Sequence, residues 1–290
     1  MKITIDIDCT PEEARLFGYL VGDGSMTQAT PGFTNKDWDS IEDFCKCVES
    51  VGFRTSIKQR KSHWHVSVLG GPPVREYFEK VGLMWKSSYQ KRIPDVVMSS
   101  GKDVMKNFLG AYWACDGSID VRSTRSRGST YRAFCTTVHK ALAEDILHVC
   151  GILGIRGRLR AKTAKIKTKA QPGGVYVSYN IEIQREVDTG RFADMPGLSV
   201  RKMALANQCR RSFDQVLWED EIVSIEHSEP ANCMCLTVDD DHSFVCSDIA
   251  VKNTMKSKMT SVLWPAWSWL NRPHYKFLSS SYALSLAERN

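Results

Sequence analysis

Two aspartates, Asp23 and Asp116, each end an apolar run of nearly the same sequence. Residues 16–24 read LFGYLVGDG and residues 109–117 read LGAYWACDG. Carboxylate oxygens are the ligands that Mg²⁺ prefers in proteins, and a pair of them can hold Mg²⁺ for the hydrolysis of a phosphodiester. If the two acids meet, they can hold divalent metal ions such as Mg²⁺ for cutting a phosphodiester, which makes Asp23 and Asp116 the candidate metal-binding and catalytic residues.

Small residues recur at the third and seventh positions of both runs, as Gly18 and Gly22 in the first and Ala111 and Cys115 in the second. Helix positions four apart share a face, and small side chains there let two backbones approach closely. Two such helices packed side by side bring both aspartates to the same end of the pair. One copy alone is typical of an ordinary buried helix, whereas the repeat favours a shared site.

The flanks of the two runs repeat as well. Each run leads into a polar stretch, then an amphipathic segment at residues 41–51 or 140–153, then alternating basic sequence from residue 56 or 157. Alternation of polar and apolar residues predicts strands with one exposed face. Each half is therefore predicted to run helix, strands, helix, strands, helix.

This order and the paired Asp-Gly helices resemble the LAGLIDADG homing endonucleases, over roughly residues 10–210. The resemblance implies an α+β fold in which two αββαββα halves, at about 10–105 and 106–213, form a pseudo-twofold saddle over DNA. It also implies a monomeric nuclease that cuts both strands of a long, pseudo-symmetric double-stranded site.

Basic residues cluster at matching places in the two halves of a chain whose net charge is +6. Lysines also protect exposed sheet edges, but the matching positions favour two ribbons that face DNA in the major groove. His63, Trp64 and His65 are equally compatible with base-edge readers and with plain strand residues. The predicted DNA-binding residues are Arg54, Lys58, Arg60 and Lys61 in the first half, and Arg156, Arg158, Arg160, Lys162, Lys165, Lys167 and Lys169 in the second.

A lysine precedes the Ile-Pro pair in the segment KRIPD. Intein-borne LAGLIDADG proteins carry a lysine of this kind, so the resemblance implies that Lys91 assists cleavage by stabilising charge on the phosphate or polarising water. In the second half we choose Lys202 over its neighbour Arg201 as the counterpart.

The composition excludes several other classes of protein. No apolar run reaches the 18 residues of a membrane span, and the N-terminus has no apolar signal core. The ten cysteines form no C-x-x-C pair, which favours reduced, mostly buried thiols rather than a zinc site. We expect a protein of the cytoplasm of a bacterium or a phage-infected cell.

Residues 214–253 resemble the C-terminal splicing region of an intein, a small β-rich Hint-type segment. The resemblance implies that Asn253 cyclises to release the downstream chain, that Thr254 receives the upstream chain as an ester, and that His242 transfers protons. Lys252 stands where inteins usually have histidine. We expect the upstream splicing half to be on another chain, as a split-intein partner, or to precede a misassigned start.

Residues 254–290 are expected to be a fragment of the host protein. Lys256 and Ser257 resemble the end of a phosphate-binding P-loop, and the sequence that follows resembles the terminase large subunit of phages. Two alternatives stay open for the whole chain. One is a degenerate LAGLIDADG protein that binds DNA without cutting it, and the other is a splicing partner with a passive nuclease.

Overall fold

The computed structural model describes residues 9–124, 128–165, 175–209, 224, 243–246 and 249–252. The chain divides into two compact units, residues 1–217 and 218–290, and the first contains both repeated runs. In its described residues the first unit is an α+β structure with two four-stranded sheets, which confirms the fold class predicted for the repeats. The segment boundaries proposed after residues 213 and 253 stay predictions.

The first half begins with a helix that its own sequence caps. Thr10 accepts a hydrogen bond from the Glu13 amide at 3.2 Å while the Glu13 carboxylate accepts one from the Thr10 amide at 2.9 Å, and Pro11 occupies the first turn. The sheet is antiparallel in the order β1-β2-β4-β3. The elements are α1 (Pro11–Asp23), β1 (Gly24–Ser25), β2 (Gly32–Asn35), α2 (Trp38–Ser50), β3 (Arg54–Arg60), β4 (His63–Leu69), α3 (Pro72–Lys80) and α4 (Asp95–Met98).

The second half repeats this plan, and its sheet has the matching order β5-β6-β8-β7. The predicted succession of helix, strands, helix, strands, helix is therefore confirmed in both halves. The elements are α5 (Lys102–Cys115), β5 (Gly117–Thr124), β6 (Gly128–Thr137), α6 (Lys140–Ile152), β7 (Arg158–Lys165), β8 (Val175–Ile183), α7 (Glu186–Gly190), a 3₁₀ turn at Arg191–Asp194 and α8 (Val200–Asn207).

Helices α1 and α5 pack against each other through their small residues. A Cβ built on Gly18 would lie 2.4 Å from the Phe108 carbonyl oxygen, and one built on Gly22 would lie 2.6 Å from the Cys115 Cβ. These separations are too short for non-bonded atoms. The two backbones can therefore approach this closely only because Gly18 and Gly22 have no side chain. The predicted helix pair is thus present.

Each sheet has one covered and one open face. Val66 and Val68 of β4 are buried in the core, as are Cys135 of β6 and Ile181 of β8. Because neighbouring residues of a strand point to opposite faces, the residues between them lie on the face away from the helices. Each half therefore presents an open antiparallel sheet.

In the second unit, β9 (Ser243–Cys246) and β10 (Ile249–Lys252) form a two-stranded antiparallel hairpin, with Ile249 opposite Cys246. These strands fall in segments that the sequence marks as strand-like. Across the described ranges no helix is long and apolar enough to cross a bilayer. Seven cysteines are free thiols, and five of these seven are buried; they are Cys9, Cys45, Cys47, Cys115, Cys135, Cys150 and Cys209.

The helix contact gives the first prediction. Gly18→Ala should lower the free energy of unfolding by about 1–3 kcal/mol, because its methyl group has no space against the Phe108 carbonyl. Gly151→Ala in α6 is the matched control, since a Cβ there meets nothing within 4 Å and should be neutral or stabilise by up to about 1 kcal/mol. Urea unfolding measures both, and a Gly18→Ala variant as stable as Gly151→Ala would contradict the contact.

Candidate active site

The two repeated aspartates lie at the adjoining C-terminal ends of α1 and α5. Asp23 is the last residue of α1 and Asp116 follows α5 as its C-cap. Asp23 accepts a hydrogen bond of 3.0 Å from the side-chain amide of Asn35, on β2. The packing of the two helices has therefore brought together the two acids that the sequence singled out.

Burial raises the pKa values of both acids, and the charge of Asp23 raises that of Asp116 further. Burial is the main cause for Asp116, followed by the negative charge of Asp23, and together they raise its pKa from 3.8 to about 6. Burial also raises the pKa of Asp23, opposed by a hydrogen bond from Cys115 and by the charges of Lys202 and Lys91. Burial therefore favours the neutral form of each acid, and the two lysines partly oppose it.

Lys91 is buried, with 5% of its surface exposed, and it caps the C-terminus of α1. Its Nζ donates to the carbonyl oxygens of Leu20 at 2.7 Å, Val21 at 3.1 Å and Gly24 at 2.7 Å. Burial lowers the pKa of Lys91, whereas the charges of Asp116 and Asp23 favour its charged form. The ammonium thus neutralises the negative end of the helix that carries Asp23.

Lys202 makes the same contact in the second half. Its Nζ donates to the carbonyl oxygens of Trp113 at 2.8 Å and Ala114 at 2.6 Å. In the aligned runs these carbonyls correspond to those of Leu20 and Val21, which Lys91 binds. The structure therefore places Lys202 in the position equivalent to Lys91, while the neighbouring Arg201 is exposed. A catalytic role for either lysine stays a prediction.

The site has a net negative charge that a divalent cation would neutralise. Each helix C-terminus contributes about half a negative charge, so two ends and two carboxylates carry about three, against two lysines. Among the described residues no group of three or more His, Cys, Asp or Glu could hold a metal ion. Two carboxylates without further protein ligands suit Mg²⁺, which commonly binds one or two carboxylates and completes its shell with waters and substrate phosphates.

A cavity of about 460 Å³ opens beside Asp23 and Lys91. Lys86, Ser87 and Ser88 also line it, so a negatively charged group that enters meets an ammonium and two hydroxyls. A smaller cavity of about 160 Å³ lies beside Lys202 in the second half. The site is therefore accessible from outside next to each capping lysine.

Sequence reasoning missed the contacts that hold the Lys91 segment in place. Arg92 forms a two-pronged ion pair with Asp145 of α6, and its NH2 group lies 2.7 Å from Oδ1. The Lys91 carbonyl oxygen lies 2.8 Å from Nδ1 of His139. These contacts fix a segment of the first half on the second. The sequence shows a basic residue, Arg92, beside Lys91. It does not indicate the partner, because Asp145 is far away along the chain.

The basic residues of the first ribbon lie along the open face of the first sheet. Arg54, Lys58 and Arg60 alternate along β3, and Lys61 lies in the turn to β4. Lys58 is opposite His65, whose Nδ1 lies 2.9 Å from the Thr34 hydroxyl. On the opposite row Trp64 packs edge-on against Trp38, with ring centroids 4.7 Å apart, so Trp64 has a structural contact of its own.

The second ribbon is more nearly neutral than the sequence suggested. Arg158, Arg160 and Lys162 alternate on β7, but Arg160 and Lys162 both lie within 3.7 Å of Glu182 on β8. Arg156 precedes the strand and interacts with the buried Asp188. Its predicted role in DNA binding stays a prediction. Lys165 ends β7, and nothing further is described for its side chain.

Other predicted site residues lie outside the described residues. They are Lys167 and Lys169 of the second ribbon, His242, Asn253 and Thr254 of the splicing segment, and Lys256 and Ser257 of the host fragment.

A family model supports the same interpretation. The LAGLIDADG-like domain model matches residues 10–82 and 103–194, which are the two halves described above. The chain belongs to this family. Its LAGLIDADG helices are α1 and α5, and the family match covers both acids.

Two relatives each match about two thirds of this chain. The chain is 30% identical over 196 residues to the replication factor C small subunit of Methanocaldococcus jannaschii, covering 66% of this chain and 10% of that protein. It is 26% identical over 200 residues to the replicative DNA helicase DnaB of Rhodothermus marinus, covering 65% and 20%. The LAGLIDADG chain thus spans a tenth to a fifth of these relatives.

Two solved structures are similar at low sequence identity. Variants of the homing endonuclease I-DmoI match with 13% identity and a TM-score of 0.44, covering 68% of this chain and 97% of that one. Full-length DUF199/WhiA from Thermatoga maritima matches with 11% identity and a TM-score of 0.42, covering 73% and 65%.

The raised pKa of Asp116 predicts a pH-dependent stability. Because the folded pKa exceeds the unfolded value, the protonated form contributes stability below pH 4 that is lost as the pH rises through about 6. At pH 7 without metal, Asp116→Asn should therefore raise the free energy of unfolding by at most about 3 kcal/mol, measured by urea unfolding. This gain should shrink at pH 4.

Asp103→Asn is the matched control, because the Asp103 side chain on the same helix is 89% exposed. It should change the free energy of unfolding by less than about 0.5 kcal/mol at either pH. An Asp116→Asn variant less stable than the parent at pH 7 would show that the carboxylate is not strained by burial and by Asp23.

Proposed function

We propose that this chain is a site-specific DNA endonuclease that hydrolyses both strands of double-stranded DNA with Mg²⁺. The observation that carries the proposal is the pair of acids at the adjoining ends of α1 and α5, each beside a helix end that a buried lysine caps. Membership of the LAGLIDADG-like family supports it, and the shared pair at the junction of two similar halves suits a duplex with two scissile phosphates.

The carboxylates of Asp23 and Asp116 would hold Mg²⁺, which lowers the pKa of bound water and stabilises charge on the phosphate when bound. Asn35 fixes the Asp23 carboxylate through its 3.0 Å hydrogen bond. The ammonium groups of Lys91 and Lys202 are held by main-chain carbonyls, so they contribute positive charge from fixed positions rather than by moving onto the substrate. Their principal effect is to offset the helix ends, which keeps the acids ionised.

DNA would lie against the open faces of the two sheets. The alternating Arg54, Lys58 and Arg60 of β3 and Arg158 of β7 are placed to meet phosphates or base edges. An antiparallel ribbon of this kind fits the major groove. Since Glu182 partly neutralises the second ribbon, the first half is expected to contribute more of the electrostatic attraction.

DNA binding without cleavage is the second candidate. Both acids are present, so only an activity measurement distinguishes this candidate from a nuclease. DNA binding that persists in Mg²⁺ without strand breaks would favour a protein that binds DNA and does not cut it. In that case the basic ribbons would still bind DNA, whereas Asp23 and Asp116 would not cleave it.

From sequence we further propose that residues 214–253 are the C-terminal part of a splicing element, followed by a host fragment related to terminase ATPases. Asn253, Thr254 and His242 would carry the splicing chemistry, and Lys256 with Ser257 would end the host P-loop. A peptide that begins at Thr254, released when the chain is mixed with a complementary N-terminal intein fragment and identified by mass spectrometry, is the test. A product with any other N-terminus would refute this junction.

The catalytic prediction concerns the two acids. A pool of randomised duplexes treated with the chain and Mg²⁺, with cut ends captured by ligation, supplies a defined target. On that target Asp23→Asn and Asp116→Asn should each lower the cleavage rate at least about a thousandfold, because a metal ligand is lost, while the Kd for DNA changes little. Asp103→Asn is the control, and normal cleavage by either active-site variant would refute the assignment.

The recognition prediction concerns the first ribbon. Lys58→Gln combined with Arg60→Gln should weaken DNA binding and reduce the log–log dependence of affinity on salt by up to about 1.8, because two phosphate contacts are lost. Lys46→Gln is the control, since Lys46 lies on α2 and pairs with Glu42 at 2.8 Å. Fluorescence anisotropy across a salt series measures the slope, and an unchanged slope would place the DNA on another surface.

A further inference from the structure

A second acidic site lies away from Asp23 and Asp116, where the first half meets the second. A cavity of about 200 Å³ opens between the N-terminal turns of α2 and the segment that leads into α8. Asp39 and Asp43 of α2 contribute two carboxylates. Since they are four residues apart on one helix, they lie on neighbouring turns of the same face and repel each other. The remaining lining residues are Tyr19, Ser40, Gly197, Leu198 and Ser199.

Two buried hydroxyls in this cavity have no partner. Ser40 is 2% exposed and Ser199 is 4% exposed, and the Oγ atom of each has no hydrogen bond within the described part of the chain. Ser199 is the N-cap of α8, yet its side chain makes no capping bond to that helix. A buried hydroxyl without a partner costs about 1–3 kcal/mol, so two of them facing one cavity indicate a missing ligand.

Comparison of the two halves indicates the charge of that ligand. Asp43 and Asp145 are each the sixth residue of the equivalent helices α2 and α6, and each follows a glutamate. Arg92 binds both oxygens of Asp145.

Asp43 has a less complete set of partners. Only its Oδ2 is engaged, by the Tyr19 hydroxyl at 2.9 Å and by Arg15 Nε at 3.3 Å. The other oxygen of Asp43 and both oxygens of Asp39 have no partner among the described residues. Asp43 therefore receives one guanidinium contact, from Arg15, whereas Asp145 receives two from Arg92. The two negative charges of Asp39 and Asp43 exceed the single positive charge of Arg15.

We propose that this cavity is a binding site for a hard divalent cation of the Ca²⁺ type. The carboxylates of Asp39 and Asp43 and the hydroxyls of Ser40 and Ser199 are its protein ligands, with the Gly197 carbonyl oxygen beside them. All are oxygen donors, and Ca²⁺ accepts six to eight oxygens in irregular geometry, whereas Mg²⁺ requires a near-ideal octahedron. A water molecule alone would satisfy the hydroxyls but would leave the two carboxylates repelling each other.

The cation would join the two halves at a second place. Asp39, Ser40 and Asp43 belong to α2 of the first half, whereas Ser199 starts α8 of the second, three residues before Lys202. Binding would therefore fix the helix whose lysine caps α5. This site is independent of the proposed cleavage, because none of its ligands belongs to the acid pair.

Calcium binding to the full chain tests the proposal. The chain should carry Asp23→Asn and Asp116→Asn, so that the acid pair no longer attracts cations. Isothermal titration with CaCl₂ should then show one saturable site with a Kd of about 10⁻⁴ to 10⁻³ M, as expected for a site with few carboxylates. Added CaCl₂ should also raise the melting temperature of this chain.

Three further substitutions decide whether the bound calcium is in this cavity. Asp39→Asn, at an exposed position, and Ser199→Ala should each weaken Ca²⁺ binding, the former at least about tenfold. Asp103→Asn, which replaces an acid that is also exposed but lies on α5, should leave the Kd unchanged. Absence of saturable binding, or binding that neither Asp39→Asn nor Ser199→Ala affects, would overturn the proposal and leave the cavity to water. Neither result depends on whether the chain cuts DNA.

Discussion

The close approach of α1 to α5 is the contact on which the rest of this structure depends. Gly18 and Gly22 let the backbone of one helix lie against the other, so both helices end at the same point. The acids that follow are then forced together with two negative helix ends. Such an arrangement is unfavourable by itself, because burial and like charge both disfavour ionised carboxylates. Everything placed around the junction compensates for that concentration of negative charge.

The compensation comes from lysines that reach the junction from outside the helix pair. Lys91 and Lys202 each donate to carbonyl oxygens one turn before an acid, and the carbonyls are the same in the two repeats. Burying each lysine removes water from its charge, which is unfavourable. The segments that carry the two lysines must therefore be held in place by other contacts. Arg92 with Asp145 and the contact of His139 with the Lys91 carbonyl hold one of them. The cross-half contacts are therefore part of the electrostatics of the site as well as of its packing.

The sequence sufficed for the parts of the fold that repeat. The small residues at positions 18, 22, 111 and 115 predicted the helix pair, and the alternating segments predicted strands in the right order, because both signals depend on local periodicity. Local periodicity did not identify Lys202, which was chosen by analogy with Lys91. Lys202 lies on the helix α8 and Lys91 on an extended segment, yet both reach equivalent carbonyl oxygens. Local spacing could not reveal the pairing of Asn35 with Asp23, which the β1–β2 hairpin creates, nor that of Arg92 with Asp145.

Charge counted along the sequence could not reveal an acid that lies beside the second ribbon. Arg160 and Lys162 seemed free because Glu182 lies in a different strand, and only the register of β7 on β8 brings it beside them. Arg156 seemed part of the same ribbon, but it lies before the strand, where the buried Asp188 attracts it.

The two halves therefore share a backbone plan without sharing their charge distribution. The first has the freer basic strand and an Asp43 that lacks a full cationic partner, and the second has a neutralised strand and an Asp145 that is fully paired. Two copies of one half could not differ in this way. In the DNA complex proposed above, a single chain with unequal halves would make different contacts with the two ends of the duplex, so the divergence of the halves favours a non-palindromic target.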